Sequence, residues 1–116
     1  MYYVIYKNIF DIKIPNEPDT YIGKGLHIVH GSNVYLNAQS IGDYLKVYQG
    51  VTLGTNKKEE RPIIGNNVTI YTNAVVCGNI RIGDNCVIGA NTFVNEDVPD
   101  NSTVIAKGQI VKKKNK

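Results

Sequence analysis

The sequence predicts an all-β fold, a parallel β-helix of about four to five triangular coils with one extruded loop. Branched aliphatic residues recur every six positions, glycine often follows them, and one polar insertion interrupts the series. A period of six is too long for one face of an α-helix. It fits one side of a β-helix, where a short strand leads into a corner. The 116 residues therefore predict a single repeat domain.

The aliphatic residues define the sides of the prism. They run in four groups of three with steps of six, and the gaps between groups are seven, eleven and six positions. Stacking the groups gives three columns, which together bury an apolar core that no single coil could bury. The predicted columns are Ile22, Ile41, Ile64 and Ile82; then Ile28, Val47, Ile70 and Ile88; then Val34, Leu53, Val76 and Val94.

Two further sets of residues support the same coil. Small or aliphatic residues lie two positions before ladder residues and form a second inward set: Val68, Ala74, Ile80, Cys86 and Thr92. Glycine directly after the ladder permits a corner that a Cβ atom would obstruct. These glycines are Gly23, Gly42, Gly65, Gly83 and Gly89.

The gap of eleven positions predicts the extruded loop. It contains the polar and charged stretch 54–62, which a prism does not need for its own stability. Loops on rigid scaffolds commonly carry function, although a neutral insertion is the alternative.

The ends of the chain lack the six-residue period. Residues 1–20 predict an irregular N-terminal lead-in or a short strand, and residues 21–111 form the β-helix domain. A short strand over 103–105 should cap the open end of the prism. Residues 112–116 read as a basic, disordered tail.

Composition excludes several classes of protein. The net charge is +3, much of it from the tail, and no pattern of interleaved aromatic and basic residues favours nucleic acid. No apolar stretch is long enough to span a membrane, and the start lacks the order of a secretion signal, so the cytoplasm is expected. Two cysteines do not make a disulfide framework, and Cys86 should be a buried thiol. A small coil with flat apolar sides should self-associate, with threefold symmetry.

The sequence resembles a known family, the left-handed β-helix (hexapeptide-repeat) acyltransferases. The similarity is carried by three stretches, residues 22–30, 49–54 and 62–68, and is greatest to the serine-acetyltransferase-like O-acetyltransferase branch. The resemblance implies a left-handed coil and a homotrimer with active sites in the clefts between subunits. It also implies acetyl-CoA as acyl donor along the coil edge, a histidine as general base, and no metal.

The resemblance also implies particular site residues. His30 occupies the position of the catalytic base, with His27 as the alternative. The residues expected at acetyl-CoA are Gly54, Thr55, Thr72, Ala90 and Lys107. The acceptor pocket should be formed by Glu59, Glu60 and Arg61.

The chain departs from the serine acetyltransferase pattern at two of these places. Val29 stands where that branch has an aspartate, and Arg61 stands where it has a histidine. These departures, with no N-terminal helical domain in the chain, favour a sugar hydroxyl of a surface polysaccharide as acceptor, and serine is the alternative. The group that orients His30 is then Asp11, Asp19 or a backbone oxygen, and a backbone N–H within 50–54 is the expected oxyanion donor.

Two other functions compete with acyl transfer. A non-catalytic assembly module would use the same prism without chemistry. A zinc enzyme resembling the gamma carbonic anhydrases needs three histidines per metal ion, and the chain has two.

Overall fold

Short parallel strands on three faces form the described part of the protein. The computed structural model describes residues 11–15 and 19–106, and every element in them is a strand of two or three residues. The described residues contain no helix long and apolar enough to cross a membrane. Each of the first thirteen strands pairs in parallel with strands three places earlier or later in chain order, so the chain winds as a triangular coil of about five turns. The last strand pairs with one two places earlier, because an isolated bridge between Ile82 and Val98 takes the place of a strand in the last coil.

The strands fall into three sheets, called face A, face B and face C. Face A contains β1 (Ile12–Lys13), β4 (Val34–Leu36), β7 (Thr52–Gly54), β10 (Val75–Cys77) and β13 (Phe93–Val94). Face B contains β2 (Tyr21–Ile22), β5 (Ser40–Ile41), β8 (Ile63–Ile64) and β11 (Arg81–Ile82). Face C contains β3 (His27–Ile28), β6 (Lys46–Val47), β9 (Thr69–Ile70), β12 (Val87–Ile88) and β14 (Thr103–Val104).

Two of the three predicted columns have the predicted register. On face B, Ile41 pairs with Ile22 and Ile64, and Ile82 continues the column. On face C the four predicted residues also follow one another, and β14 adds Val104 to the end of that column. The all-β, triangular fold expected from the six-residue period is therefore confirmed.

The third column differs from the prediction in its first member. Leu36, not Val34, is the partner of Leu53, while Val34 pairs with Ile12. The cause is the corner between β3 and β4, which makes the step from Ile28 to Leu36 eight positions instead of six. Val34 thereby joins the second inward set, and it remains buried there.

The core is the inside of the prism. The ladder residues on all three faces are almost wholly buried in the middle coils, and the second inward set is buried as well. Each buried leucine or isoleucine contributes about 1.5–3 kcal/mol relative to an exposed one. Cys86 is buried, and its thiol lies 3.1 Å from the Pro99 carbonyl oxygen.

The ends of the chain are described in part. Strand β1 lies within the predicted lead-in and adds to face A, and β14 is the short strand expected near residue 104. Residues 1–10, 16–18 and 107–116 are outside the described residues, and with them the predicted basic tail and Lys107.

The corners between face B and face C hold consecutive coils together through side-chain oxygens. Asp43 accepts a hydrogen bond from the backbone N–H of Lys24 at 3.0 Å, and Asn66 accepts one from Asp43 at 2.8 Å. Asp84 and Asp100 repeat the arrangement on the next two coils. Left-handed backbone at the corners falls mostly on asparagine, which tolerates it: six of the eight described non-glycine residues with positive φ are Asn.

Close approach of the coils explains the glycines of this corner. A Cβ atom on Gly65 would lie 2.9 Å from the Gly83 backbone and closer still to the Asp84 carboxylate. The backbone atoms cannot move without breaking the stack, so the corner admits only hydrogen at this position.

We expect Gly65→Ala to lower the free energy of unfolding by about 1–3 kcal/mol, because the added methyl group overpacks the corner. Urea denaturation followed by circular dichroism measures the change. Gly54→Ala is the matched control, since its Cβ would meet nothing closer than the Thr52 methyl carbon at 3.7 Å. Equal midpoints for the two variants would contradict the close-approach explanation.

Candidate active site

His30 lies at the corner between face C and face A, in the segment that joins β3 to β4. Its side chain is exposed. The imidazole lies beside the Tyr48 ring, with centroids 6.3 Å apart and planes at 59°. Tyr48 in turn stacks on Tyr71 of the following coil, at 4.8 Å and 25°. Among the described residues, no hydrogen bond or ion pair involves the imidazole.

The candidates for an orienting carboxylate do not reach the imidazole among the described contacts. Asp11 lies on the neighbouring coil, where its N–H donates to the Gly31 carbonyl oxygen at 2.7 Å. Its carboxylate, however, lies 3.6 Å from Lys13 Nζ. Asp19 is exposed and makes no contact with His30 in the described part of the chain.

His27 lies elsewhere on the prism. It belongs to β3 and pairs in register with Lys46, so it is on the outer side of face C. His27 therefore lies on a face and His30 at a corner. Residues 11–15 and 19–106 contain no cluster of three or more His, Cys, Asp or Glu that could bind a metal ion.

The extruded loop leaves face A after β7 and returns on face B at β8. Asn56 organises it: its Oδ1 accepts hydrogen bonds from the N–H groups of Lys58 and Glu60, both at 2.9 Å. Its Nδ2 donates to Glu60 Oε1 at 2.7 Å. Glu59 has a left-handed backbone, with φ of 61°. The loop is thus a folded turn with its own internal hydrogen bonds.

Arg61 is a half-buried cation fixed at the base of the loop. Its Nη1 donates to the Ala38 carbonyl oxygen at 3.1 Å and to Thr20 Oγ1 at 3.4 Å. No carboxylate of the described residues lies within ion-pair distance of it. The guanidinium therefore keeps N–H groups free to bind an anion.

Arg61 lines a polar cleft at the corner between face A and face B. The cleft contains Pro15, Tyr35, Asn37, Thr55, Glu59 and Arg61. Two of the three predicted acceptor residues thus share one cleft, together with Thr55, which was predicted at acetyl-CoA. A cation and an acid in one cleft match the charges of a zwitterionic amino acid.

Glu60 lies apart from this cleft. Its carboxylate is bonded to Asn56 and faces a second depression lined by residues that include Cys77, Gly78 and Phe93. Of the three residues predicted to form the acceptor pocket, Glu59 and Arg61 line the cleft and Glu60 lies outside it. The hydrogen bond from Asn56 Nδ2 holds the Glu60 carboxylate on that side of the loop.

The other predicted acetyl-CoA residues divide between two corners. Thr72 and Ala90 lie in the same corner as His30, on later coils, because each of the three comes two residues after a strand of face C. Gly54 and Thr55 lie at the opposite edge of face A, where the loop begins. One chain alone therefore does not bring His30 together with Gly54, Thr55 or the loop.

Several residues at these corners were not predicted. Tyr48 and Tyr71 each directly follow a ladder residue of face C. This spacing was the sequence signal that could have placed both at the His30 corner. Gln49 lies beside them, and its Oε1 is buried with no hydrogen-bond partner among the described residues. Tyr35 and Asn37 reach the Arg61 cleft through a register that the period alone predicted wrongly.

Comparison with known proteins gives the family. A family model described as bacterial transferase hexapeptide (six repeats) matches residues 61–96. The serine acetyltransferase of Staphylococcus aureus strain Mu50 is 48% identical over 100 residues, which cover 82% of this chain and 47% of that protein. The chain belongs to the hexapeptide-repeat acyltransferase family. It spans about half the length of the curated relatives it matches.

Solved structures of the family carry the same coil. Soybean serine acetyltransferase complexed with serine superposes with a TM-score of 0.75 at 33% identity, covering 83% of this chain and 40% of that one. A serine acetyltransferase in complex with CoA gives a TM-score of 0.71 at 29% identity, covering 82% of this chain and 39% of that one. The left-handed β-helix that the resemblance implied is thereby confirmed.

We expect Asn56→Ala to open the loop, because three hydrogen bonds of about 1 kcal/mol each are lost. Trypsin should then cleave after Lys57 or Lys58 faster, by on the order of tenfold or more. Mass spectrometry of timed digests measures the rate and the cleavage site. Asn95→Ala, an exposed change outside the loop, should leave the rate as it is. An unaltered rate in Asn56→Ala would show that Asn56 does not hold the loop.

Proposed function

We propose that this chain is the catalytic β-helix of an acetyl-CoA-dependent O-acetyltransferase of the serine acetyltransferase type. The observation that carries the proposal is the 48% identity to the S. aureus enzyme. A match over 82% of a 116-residue chain must include both position 30 and position 61, wherever it starts. The similarity therefore extends over both corners of the candidate site.

Serine is the proposed acceptor, in place of the sugar hydroxyl that the departures at Val29 and Arg61 favoured. The relative and the two structures described above are serine acetyltransferases, and the soybean structure is a complex with serine. The Arg61 cleft supports the same choice, because a carboxylate can bind the free guanidinium N–H groups and the ammonium can bind Glu59. A neutral sugar could hydrogen-bond to both groups, but it carries no charge that complements either of them.

The proposed active site is shared between copies of the chain in a homotrimer. His30 and the loop lie at opposite edges of face A, so a site that contains both requires the loop of a neighbouring copy. The outer side of face A is partly apolar, with Tyr35 37% and Phe93 62% exposed, which supports its burial against another copy.

His30 acts as the general base in this mechanism. One imidazole nitrogen takes the proton of the serine hydroxyl as its oxygen attacks the thioester carbonyl of acetyl-CoA, and the same nitrogen returns the proton to the departing thiolate. The thioester is already activated, so no covalent enzyme intermediate is needed. A backbone N–H within 50–54 stabilises the oxyanion, and the pantetheine arm lies along the corner that contains Thr72 and Ala90.

We expect His30→Asn to lower kcat by about 10²–10⁴-fold, because a positioned general base typically contributes that much. Thiol release from acetyl-CoA in the presence of serine measures the rate. His27→Gln should retain activity, since His27 lies on the outer side of face C. A loss below tenfold in His30→Asn would exclude a general-base role for this residue.

We expect Arg61→Gln to raise KM for serine by about 10–100-fold, because a charge-assisted hydrogen bond to the acceptor carboxylate is lost. Lys58→Gln, in the same loop and exposed, should leave KM unchanged.

Serinamide separates recognition of the carboxylate from a loosened loop. The unaltered protein should prefer serine to serinamide, and Arg61→Gln should lose that preference. If both acceptors weaken equally in Arg61→Gln, the arginine only supports the loop and does not bind the carboxylate.

A further inference from the structure

The imidazole of His30 has few neighbours that could fix its orientation. The side chain is exposed, the residue before it is Val29, and the described residues offer it no carboxylate. In the described part of the chain its imidazole contacts the Tyr48 ring, with centroids 6.3 Å apart and planes at 59°. This geometry falls within the range of favourable tilted aromatic pairs, whose centroids lie 4.5–7 Å apart.

Tyr48 is itself held firmly. Its N–H donates to the Ile70 carbonyl oxygen at 3.1 Å, and the N–H of Tyr71 donates to Ile88 at 2.9 Å, so both rings occupy the same position on consecutive coils. They stack at 4.8 Å, which is the spacing of paired strands. Lys46 Nζ lies 5.8 Å from the Tyr48 ring centroid and adds a cation–π contact.

A ring held by contacts with Tyr71 and Lys46 can restrict a neighbour that is free. Tyr48 is a half-buried member of the stack, whereas His30 sits in the corner that is two residues longer than its equivalents. A longer corner gives the imidazole more freedom, and a general base must face its proton within hydrogen-bond reach.

We propose that Tyr48, supported by Tyr71, is the positioning residue for the His30 imidazole, in the place that a carboxylate takes in other catalytic histidines. The proposal rests on the proposed function for its kinetic consequence. The ring contact, however, can be tested without any activity. The tyrosine acts through its ring and not through its hydroxyl group.

The first experiment is NMR of the imidazole protons. The chain has two histidines, so His27→Gln leaves His30 as the sole signal. In this background, Tyr48→Leu should move the His30 ring resonances toward the values of an unfolded chain, and Tyr48→Phe should leave them in place. Tyr71→Leu should produce a smaller movement, since Tyr71 acts on His30 through Tyr48.

The matched control is Tyr44→Leu. Tyr44 also carries a lysine over its ring, with Lys24 Nζ 5.7 Å from the centroid, but it lies at the corner between face B and face C. The Tyr44→Leu variant should leave the His30 resonances unmoved. If Tyr48→Leu also left these resonances unmoved, the proposal would be overturned.

The second experiment separates positioning from a general loss of structure. Tyr48→Leu should lower kcat by about two- to tenfold, the worth of one aromatic pair, with KM for acetyl-CoA little changed. Tyr48→Phe should restore kcat, and Tyr44→Leu should not affect it. A rise in KM with kcat unchanged, or no rescue by Phe, would overturn the positioning role.

The two experiments also separate this proposal from the proposed function. If the unaltered protein transfers no acetyl group to serine while the NMR signals move as expected, the function fails and the ring contact stands. If the protein is active and the signals do not move, the ring contact fails and the function stands.

Discussion

The whole structure depends on one constraint: each coil must lie directly on the next, close enough for every strand to bond its neighbour. This constraint selects hydrogen at Gly65, where the next coil leaves no room for a Cβ atom, and it lets Asp43 and Asn66 reach the backbone of the coil before them. It also places equivalent residues of successive coils above one another. A side chain at a corner can therefore contact a side chain at the same corner one coil away, as Tyr48 and Tyr71 do.

The same stacking decides where functional groups can lie. Aliphatic residues fill the inner side of each face, so functional side chains lie at the corners. The His30 corner and the loop corner stand at the two edges of face A, separated by the width of that face. The β-helix of a single chain is too rigid to bring these two edges into contact. In the proposed mechanism, association of copies is part of the chemistry, because one copy would supply the base and another would supply the acceptor cleft.

The departures from the family pattern become understandable when they are considered with their neighbours. A valine before the histidine removes a carboxylate from its vicinity, and the tyrosine stack lies where it can limit the ring instead. An arginine at the end of the loop replaces a histidine, yet it remains a donor to an anion and is anchored by the Ala38 carbonyl oxygen.

The sequence alone determined the class of fold, the coil period, two of the three columns and the place of the loop, because a six-residue repeat leaves few other ways to bury branched aliphatic residues. It could not choose between Val34 and Leu36, since both are apolar, lie two positions apart and point inward. Only the tertiary structure decided that register, through the longer corner at His30. It also decided that Glu60 lies outside the cleft that contains Glu59, because hydrogen bonds with Asn56 hold Glu60, and no periodicity in the sequence reports such bonds.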